Sequence, residues 1–380
     1  LRILNNIGLT VVYLQDNYMQ RYTLDLLVKN NVFDSLYVSY SQIAIQNNNS
    51  YYSSNKSSRI IIDGNRFSPK RLTSSSVISL SKGLYYNYNS GSNAFVESND
   101  LWVFKNNYVK RHSPTSQPLI EFTNIDTVMN NIFSGENSTV VSMITNKHPS
   151  INPSPTHFVN NYITAYGNGT TNGLSIAGVY SLPPGSVIAH NSINQLGTNN
   201  AIALYIEEPA DDITVKNNII SSAGGGIPLQ VDGSLTNIDW DYNCYHTTGN
   251  VLASYNGSTY NDVNSLGVAM SSDANSIEEN PYYVSDEDYT INNSLLKAGA
   301  AIASVSNDID GALRSSPPTM GVKEFVFCNN DAGIGSVVSP VTPLSSNTND
   351  ITVQLTNHGS SSLSSVSIAW SVNGVLQTPY

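Results

Sequence analysis

The chain has 380 residues, of which 12% are charged and 40% hydrophobic, and its 28 acidic and 17 basic side chains leave a formal net charge of −11. No basic run resembles a phosphate-binding stripe, so nucleic acid is not expected as a partner. No run of about 18 apolar residues exists either, so no membrane-spanning helix is expected. Surface polarity is carried by Asn, Ser, Thr and Tyr, which suits a secreted or cell-surface β protein better than a cytosolic helical one. The length allows two or more domains, because single cores rarely grow past roughly 250–300 residues, a limit that one elongated repeat fold escapes. The chain opens on Leu1-Arg2-Ile3 without Met or a basic leader, and it reads as a piece of a larger polypeptide.

Self-similarity decides the fold class. A phrase of alternating apolar residues, an Asn, one spacer and a further apolar residue recurs from the N-terminus onwards. It reads Val28-Lys29-Asn30-Asn31-Val32-Phe33, then Ile62-Asp63-Gly64-Asn65-Arg66-Phe67, then Phe104-Lys105-Asn106-Asn107-Tyr108-Val109. Related copies carry the marker asparagines Asn131, Asn161, Asn191, Asn218 and Asn243, and Leu4-Asn5-Asn6 is a weaker first copy. Intervals between markers run from 24 to 42 residues. About 25 residues at roughly 3.3 Å each supply three short strands and three turns, one circuit of a β-helix, and the longer intervals are coils carrying loops.

Two columns are expected to face a continuous core: Val28, Ile62, Phe104, Val128, Phe158, Ile188, Val215 and Trp240 before the marker, and Phe33, Phe67, Val109, Phe133, Ile163, Ile193, Ile220 and Tyr245 after it. The markers Asn31, Asn65, Asn107, Asn131, Asn161, Asn191, Asn218 and Asn243 fall where strand gives way to turn. Asn tolerates left-handed backbone angles, and stacked amides can bond to one another, so these residues are assigned a structural ladder. Helical periodicity is absent, and the class is all-β: a right-handed parallel β-helix.

An outward column two residues before each marker reads Lys29, Asp63, Lys105, Met129, Val159, Ala189, Lys216, Asp241. Lys29, Asp63 and Lys105 fall on three successive coils, and the plain reading is a charge ladder worth at most about 1 kcal/mol per exposed pair. Tyr51-Tyr52 and Tyr85-Tyr86 with Tyr88 each follow a marker by about 20 residues, so adjacent coils are expected to project tyrosines from one edge, where they can stack on sugars or pack on their own coils. Glu207-Glu208 and Asp211-Asp212 flank Pro209 and read as a solvated turn before a calcium cage. His112 and His157 stand alone. Cys244 and Cys328 are the only cysteines; a disulfide and two separate thiols both remain open.

Over roughly residues 1–325 the chain resembles the right-handed parallel β-helix superfamily of pectate lyases, chondroitinase-type lyases and bacterial surface proteins. The most specific match begins near residue 275: Asn280-Pro281-Tyr282-Tyr283, Asp288-Tyr289-Thr290-Ile291, Ala298-Gly299-Ala300-Ala301-Ile302 and Asp308-Ile309-Asp310-Gly311-Ala312-Leu313-Arg314, with Pro318, Gly321 and Glu324-Phe325. This series is similar to the closing segment of secreted bacterial β-helices, with Tyr283 in place of a Phe and Leu296-Lys297-Ala298 in place of Ser-Pro-Ala. Residues 326–380 read as a linker and a truncated module. Within it Ile351–Gly359 and Ile368–Gly374 read as two strands and a turn, a hairpin resembling part of a CARDB-like, immunoglobulin-type β-sandwich of Bacteroidota. So short a piece is marginal alone and is expected to dock on the β-helix end or on further chain. That lineage implies type IX secretion and hence the secretion machinery as a partner. Asp34-Ser35-Leu36 and Asp126-Thr127-Val128 match its short O-glycosylation signature.

The resemblance also implies what an enzyme of this kind would use: an outward basic residue such as Lys29 or Lys105 to abstract a proton beside a uronate carboxylate, often with Ca²⁺ held by acids. No second acidic cluster matches in coil height, so the expected role is a non-catalytic module of a large surface protein, in adhesion or contact with a polysaccharide or cell-surface glycan and without a required cofactor. A polysaccharide lyase or glycoside hydrolase is the alternative, and a purely structural stalk or filament subunit the third.

Overall fold

The computed structural model describes residues 1–7, 12–16, 25–33, 41–47, 59–69, 76–82, 101–111, 117–144, 154–167, 171–177, 182–198, 200–207, 212–233, 235–326, 332–339, 350–357 and 361–380. The protein is nearly all β, and by its internal contacts it divides into two units, Leu1–Phe325 and Val326–Tyr380.

The first unit is a parallel β-helix. Each coil supplies one strand to each of three parallel sheets. Sheet A includes Asp25–Lys29, Arg59–Asp63, Leu101–Lys105, Thr127–Met129 and their successors to Asp239–Asp241. Sheet B takes the strand after the Asn turn, from Val32–Phe33 to Ile277–Glu278, and sheet C the third strand of each coil, from Val12–Asp16 to Ala253–Tyr255. Register follows the phrase: Val28 pairs with Ile62, Ile62 with Phe104, Phe104 with Val128 and Val128 with Phe158. Phe33 pairs with Phe67, Phe67 with Val109 and Val109 with Phe133.

Both columns are buried along their whole length, because residues two apart on a strand share a face and parallel pairing repeats that face about every 4.8 Å. Aromatic rings stack within and between them, Phe33 on Phe67 at 4.5 Å between centroids in one column and Phe104 on Phe133 at 6.2 Å across the two.

The turn from sheet A to sheet B takes two residues with distinct tasks. The residue before each marker adopts the left-handed conformation, as at Asn30, Gly64, Asn106, Asn130, Asn160, His190, Asn217 and Tyr242, with φ between +54° and +66°. The marker itself builds the ladder. From Asn6 to Asn218, each marker donates both its side-chain Nδ2 and its backbone N–H to the Oδ1 of the next, at 2.9–3.2 Å. The left-handed angle expected at the marker therefore belongs to its predecessor, since the marker's own side chain must point inward to reach its neighbours.

The far end of the solenoid is closed by local devices. Ser258–Tyr260 pairs antiparallel with Ala253–Tyr255 and ends the parallel order of sheet C. An α-helix, Val263–Met270, is capped by the Asp262 carboxylate on the Ser265 N–H at 2.9 Å and buries Leu266 and Met270 against the core. The chain then returns over sheets A and B. A hairpin of Tyr283–Ser285 and Asp288–Ile291 sets the Asp286 carbonyl where the Tyr162 and Thr164 hydroxyls donate to it, at 2.8 and 3.0 Å. Val305 and Ile302 pack on Val159 and Ala189.

In the second unit Ala332–Ser339 pairs antiparallel with Thr352–Asn357, and a separate short hairpin joins Ser371–Val372 to Val375–Leu376. This corrects the expected pairing of 351–359 with 368–374. The first strand finds its partner in residues read as linker, and Asn373-Gly374, with φ of +51° and +80°, turns the second stretch back on itself.

Candidate functional site

The outer faces of sheets A and B meet along the column of left-handed residues, here called the seam. Its later half, from Asn160 onwards, is covered by the closing segment. The Arg314 guanidinium donates to Asn160 Oδ1 at 2.7 Å and to Glu324 at 3.0 Å, Asn160 Nδ2 donates to the Asn307 carbonyl at 2.8 Å, and the Val322 N–H donates to the Ser192 hydroxyl at 3.1 Å. Val159 and Ala189, expected on an outward column, do point away from the helix core, but this segment buries them.

The earlier half carries Lys29, Asp63 and Lys105, which pair in register on adjacent strands. Asp63 lies 3.3 Å from the Lys29 ammonium and 4.0 Å from that of Lys105, and it accepts a hydrogen bond from Asn106 Nδ2 at 2.8 Å. The lysines remain substantially exposed while the carboxylate between them is buried. Among the described residues no further acid joins this set, so the trio forms a charge ladder in which two lysines share one carboxylate, and it lacks the second carboxylate that acid–base cleavage of a glycoside requires. Across the turn, on sheet B, the exposed Arg66 guanidinium lies over the Tyr108 ring at 4.6 Å. Neither residue stood out in the sequence, because their proximity arises only when coils 42 residues apart are stacked.

Tyr51, Tyr52, Tyr85, Tyr86 and Tyr88 lie outside the described residues, as do Asp34-Ser35-Leu36, His112, Glu208, Asp211 and Cys328. Among the described residues no three His, Cys, Asp or Glu side chains converge to hold a metal, and no helix is long and apolar enough to cross a membrane. In Asp126-Thr127-Val128 the Asp126 carboxylate is buried. It pairs with Lys82 at 2.6 Å and accepts the Trp102 backbone N–H at 2.7 Å, so it fastens sheet C to sheet A. The Cys244 thiol is buried and donates to the Glu279 carbonyl at 3.2 Å; burial pushes it up to about 12.

Two titratable groups at the closing segment, His190 beneath it and Glu324 within it, carry no mark of their burial in the local sequence. His190 replaces Asn in the left-handed column and is fully buried; burial, with Arg314 beside it, holds it well below the ordinary imidazole range. Burial alone would raise the Glu324 carboxyl, but hydrogen bonds from Ser315 and Thr319 and the charge of Arg314 outweigh it and hold it below its usual value. Glu324 braces the segment internally through Arg314, Ser315 and Thr319, and both side chains are buried, out of reach of a substrate. No family model matches the chain, and no curated protein matches it either.

Proposed function

We propose that this chain is a non-catalytic β-helix module of a large secreted cell-surface protein, acting in adhesion or glycan contact. The observation that supports it is the setting of Asp63: in the most enzyme-like constellation the one carboxylate is held between Lys29 and Lys105, with no second acid beside it among the described residues. Type IX export, a Bacteroidota origin, membership of the pectate-lyase-like superfamily and a CARDB-like second unit belong to the same proposal, and they rest on the closing phrases and on the strand-rich tail. A glycan array tests the reading. Binding that is lost in Tyr85→Ala/Tyr86→Ala supports glycan contact through the aromatic loops, and no binding to any glycan favours a stalk or filament subunit.

One observation favours a polysaccharide lyase as a second reading: the two exposed lysines stand on the half of the outer face that the closing segment does not cover. Incubation with pectins, alginates and glycosaminoglycans, followed at the absorbance of unsaturated uronates, separates the two. Product release by the wild type that vanishes in Lys105→Ala overturns the non-catalytic reading, and a reducing-end assay covers a hydrolase.

A further inference from the structure

The covered half of the seam shows how this surface holds a polypeptide. Asn217, in the left-handed column, donates Nδ2 to the Ala300 carbonyl at 2.7 Å and accepts the Ala300 N–H on Oδ1 at 2.9 Å. One side-chain amide thus satisfies both polar groups of one residue's backbone, a recognition that reads no side chain. The same Nδ2 also contacts the neighbour in its own column, His190 Nε2, at 2.9 Å. Two coils earlier Asn160 repeats half of the arrangement on the Asn307 carbonyl. The segment then turns back at Asp308–Gly311, and the column continues beyond it.

Asn130 is the counterpart of Asn217 on the side that no described residue of the closing segment covers. Its Nδ2 donates to the neighbour in its column, Asn106 Oδ1, at 3.3 Å, while its own Oδ1 is buried and has no partner. Asn106 and Asn30 carry the column onward with the same left-handed geometry. Lys29 and Lys105 flank it on sheet A and Arg66 on sheet B, three cations against the single Asp63 carboxylate in a chain whose net charge is −11. At the boundary, Lys110 already holds Glu287 from the tip of the closing hairpin.

We propose that this open stretch of the seam, at Asn30, Asn106 and Asn130, binds an acidic polypeptide segment of a partner protein, as the closing segment is bound at Asn160 and Asn217. On binding, the Asn130 amide rotates to bring its buried oxygen onto the backbone of one peptide residue, and acidic side chains on either side of that residue meet Lys29, Lys105 and Arg66. Three coil spacings of about 4.8 Å span roughly 14 Å, the length of four or five extended residues. This proposal goes beyond the glycan reading and does not depend on it.

The test uses the full chain and the variant Asn30→Gly/Asn106→Gly/Asn130→Gly. Glycine keeps the left-handed backbone and removes the amide, and Gly64 already occupies this column, so the variant retains the fold; a thermal melt checks that. A phage-displayed random peptide library is selected on the wild type and counter-selected on the variant. Enriched peptides rich in Asp and Glu are expected, binding the variant and Lys29→Ala/Arg66→Ala at least about tenfold more weakly in fluorescence polarisation. Failure to enrich any peptide, or equal binding to wild type and glycine variant, overturns the proposal. Polygalacturonate is the second probe: binding that is lost in Lys29→Ala/Arg66→Ala but kept in the glycine variant, with no peptide enriched, assigns the seam to an anionic glycan and also overturns it.

Discussion

Asn243 donates its backbone N–H to the Ser276 hydroxyl at 2.7 Å, taking from a serine the bond that every earlier marker takes from an asparagine. The ladder is therefore terminated by a side chain that has one acceptor to offer and no amide to pass the pattern on. Inside the ladder the stakes are higher, because each amide serves its neighbours on both sides.

Asn161 accepts two hydrogen bonds from Asn131 and donates to Asn191 and to the Val128 and Val159 carbonyls. Asn161→Ala leaves buried donors and acceptors without partners, each costing about 1–3 kcal/mol, and a total loss of about 2–4 kcal/mol is expected in urea unfolding. A loss below about 0.5 kcal/mol would mean that the ladder is ornamental.

Asp273 accepts from the Tyr245 hydroxyl at 2.6 Å and from Ser276, yet burial outweighs these bonds and pushes its carboxyl up to about 6. A folded value above the unfolded one means that the folded chain holds more protons between about pH 4 and pH 6, so stability falls as pH rises through that window, by about 3 kcal/mol at most. Urea midpoints taken across this range should show the slope in the wild type and its loss in Asp273→Asn.

His190 and Glu324 work in the opposite sense. Both folded values lie below the unfolded ones, so their contribution is full at neutral pH and is lost on acidification, below about 6.5 for the imidazole and below about 4.3 for the carboxyl. Hydrogen exchange over residues 300–325, corrected for intrinsic rates, is expected to speed up at pH 5 relative to pH 7. His190→Asn, which restores the usual residue of its column, should abolish most of that difference.

Gly321 has φ of +86°, and a Cβ there would stand 2.5 Å from Ile219 Cδ1 and 2.6 Å from Ser192 Oγ. Gly321→Ala is expected to loosen the closing segment by about 1–3 kcal/mol through overpacking and backbone strain. The measurement is protease cleavage between residues 300 and 325, and cleavage no faster than in the wild type would contradict it.

Asp63→Asn removes the charge between Lys29 and Lys105. With both lysines exposed the expected cost is about 1 kcal/mol or less, read as a shift of the unfolding midpoint.

The residues alone determined the solenoid, because a marker Asn recurring beside two apolar columns has one economical solution: stacked coils with those columns inside. From Leu26 and Val28 to Trp240 and Tyr245, burial follows local alternation, which period-two strand geometry makes legible in one dimension. Tertiary structure decided everything that depends on chain returning from far away. Val159, Ala189 and His190 carry nothing in their local sequence to mark them as covered; they are buried because residues more than 100 positions later fold back across them. The Lys29–Asp63–Lys105 contacts and the orphaned Asn130 oxygen arise likewise from coil stacking and from where the closing segment stops, distances that spacing along the chain does not contain.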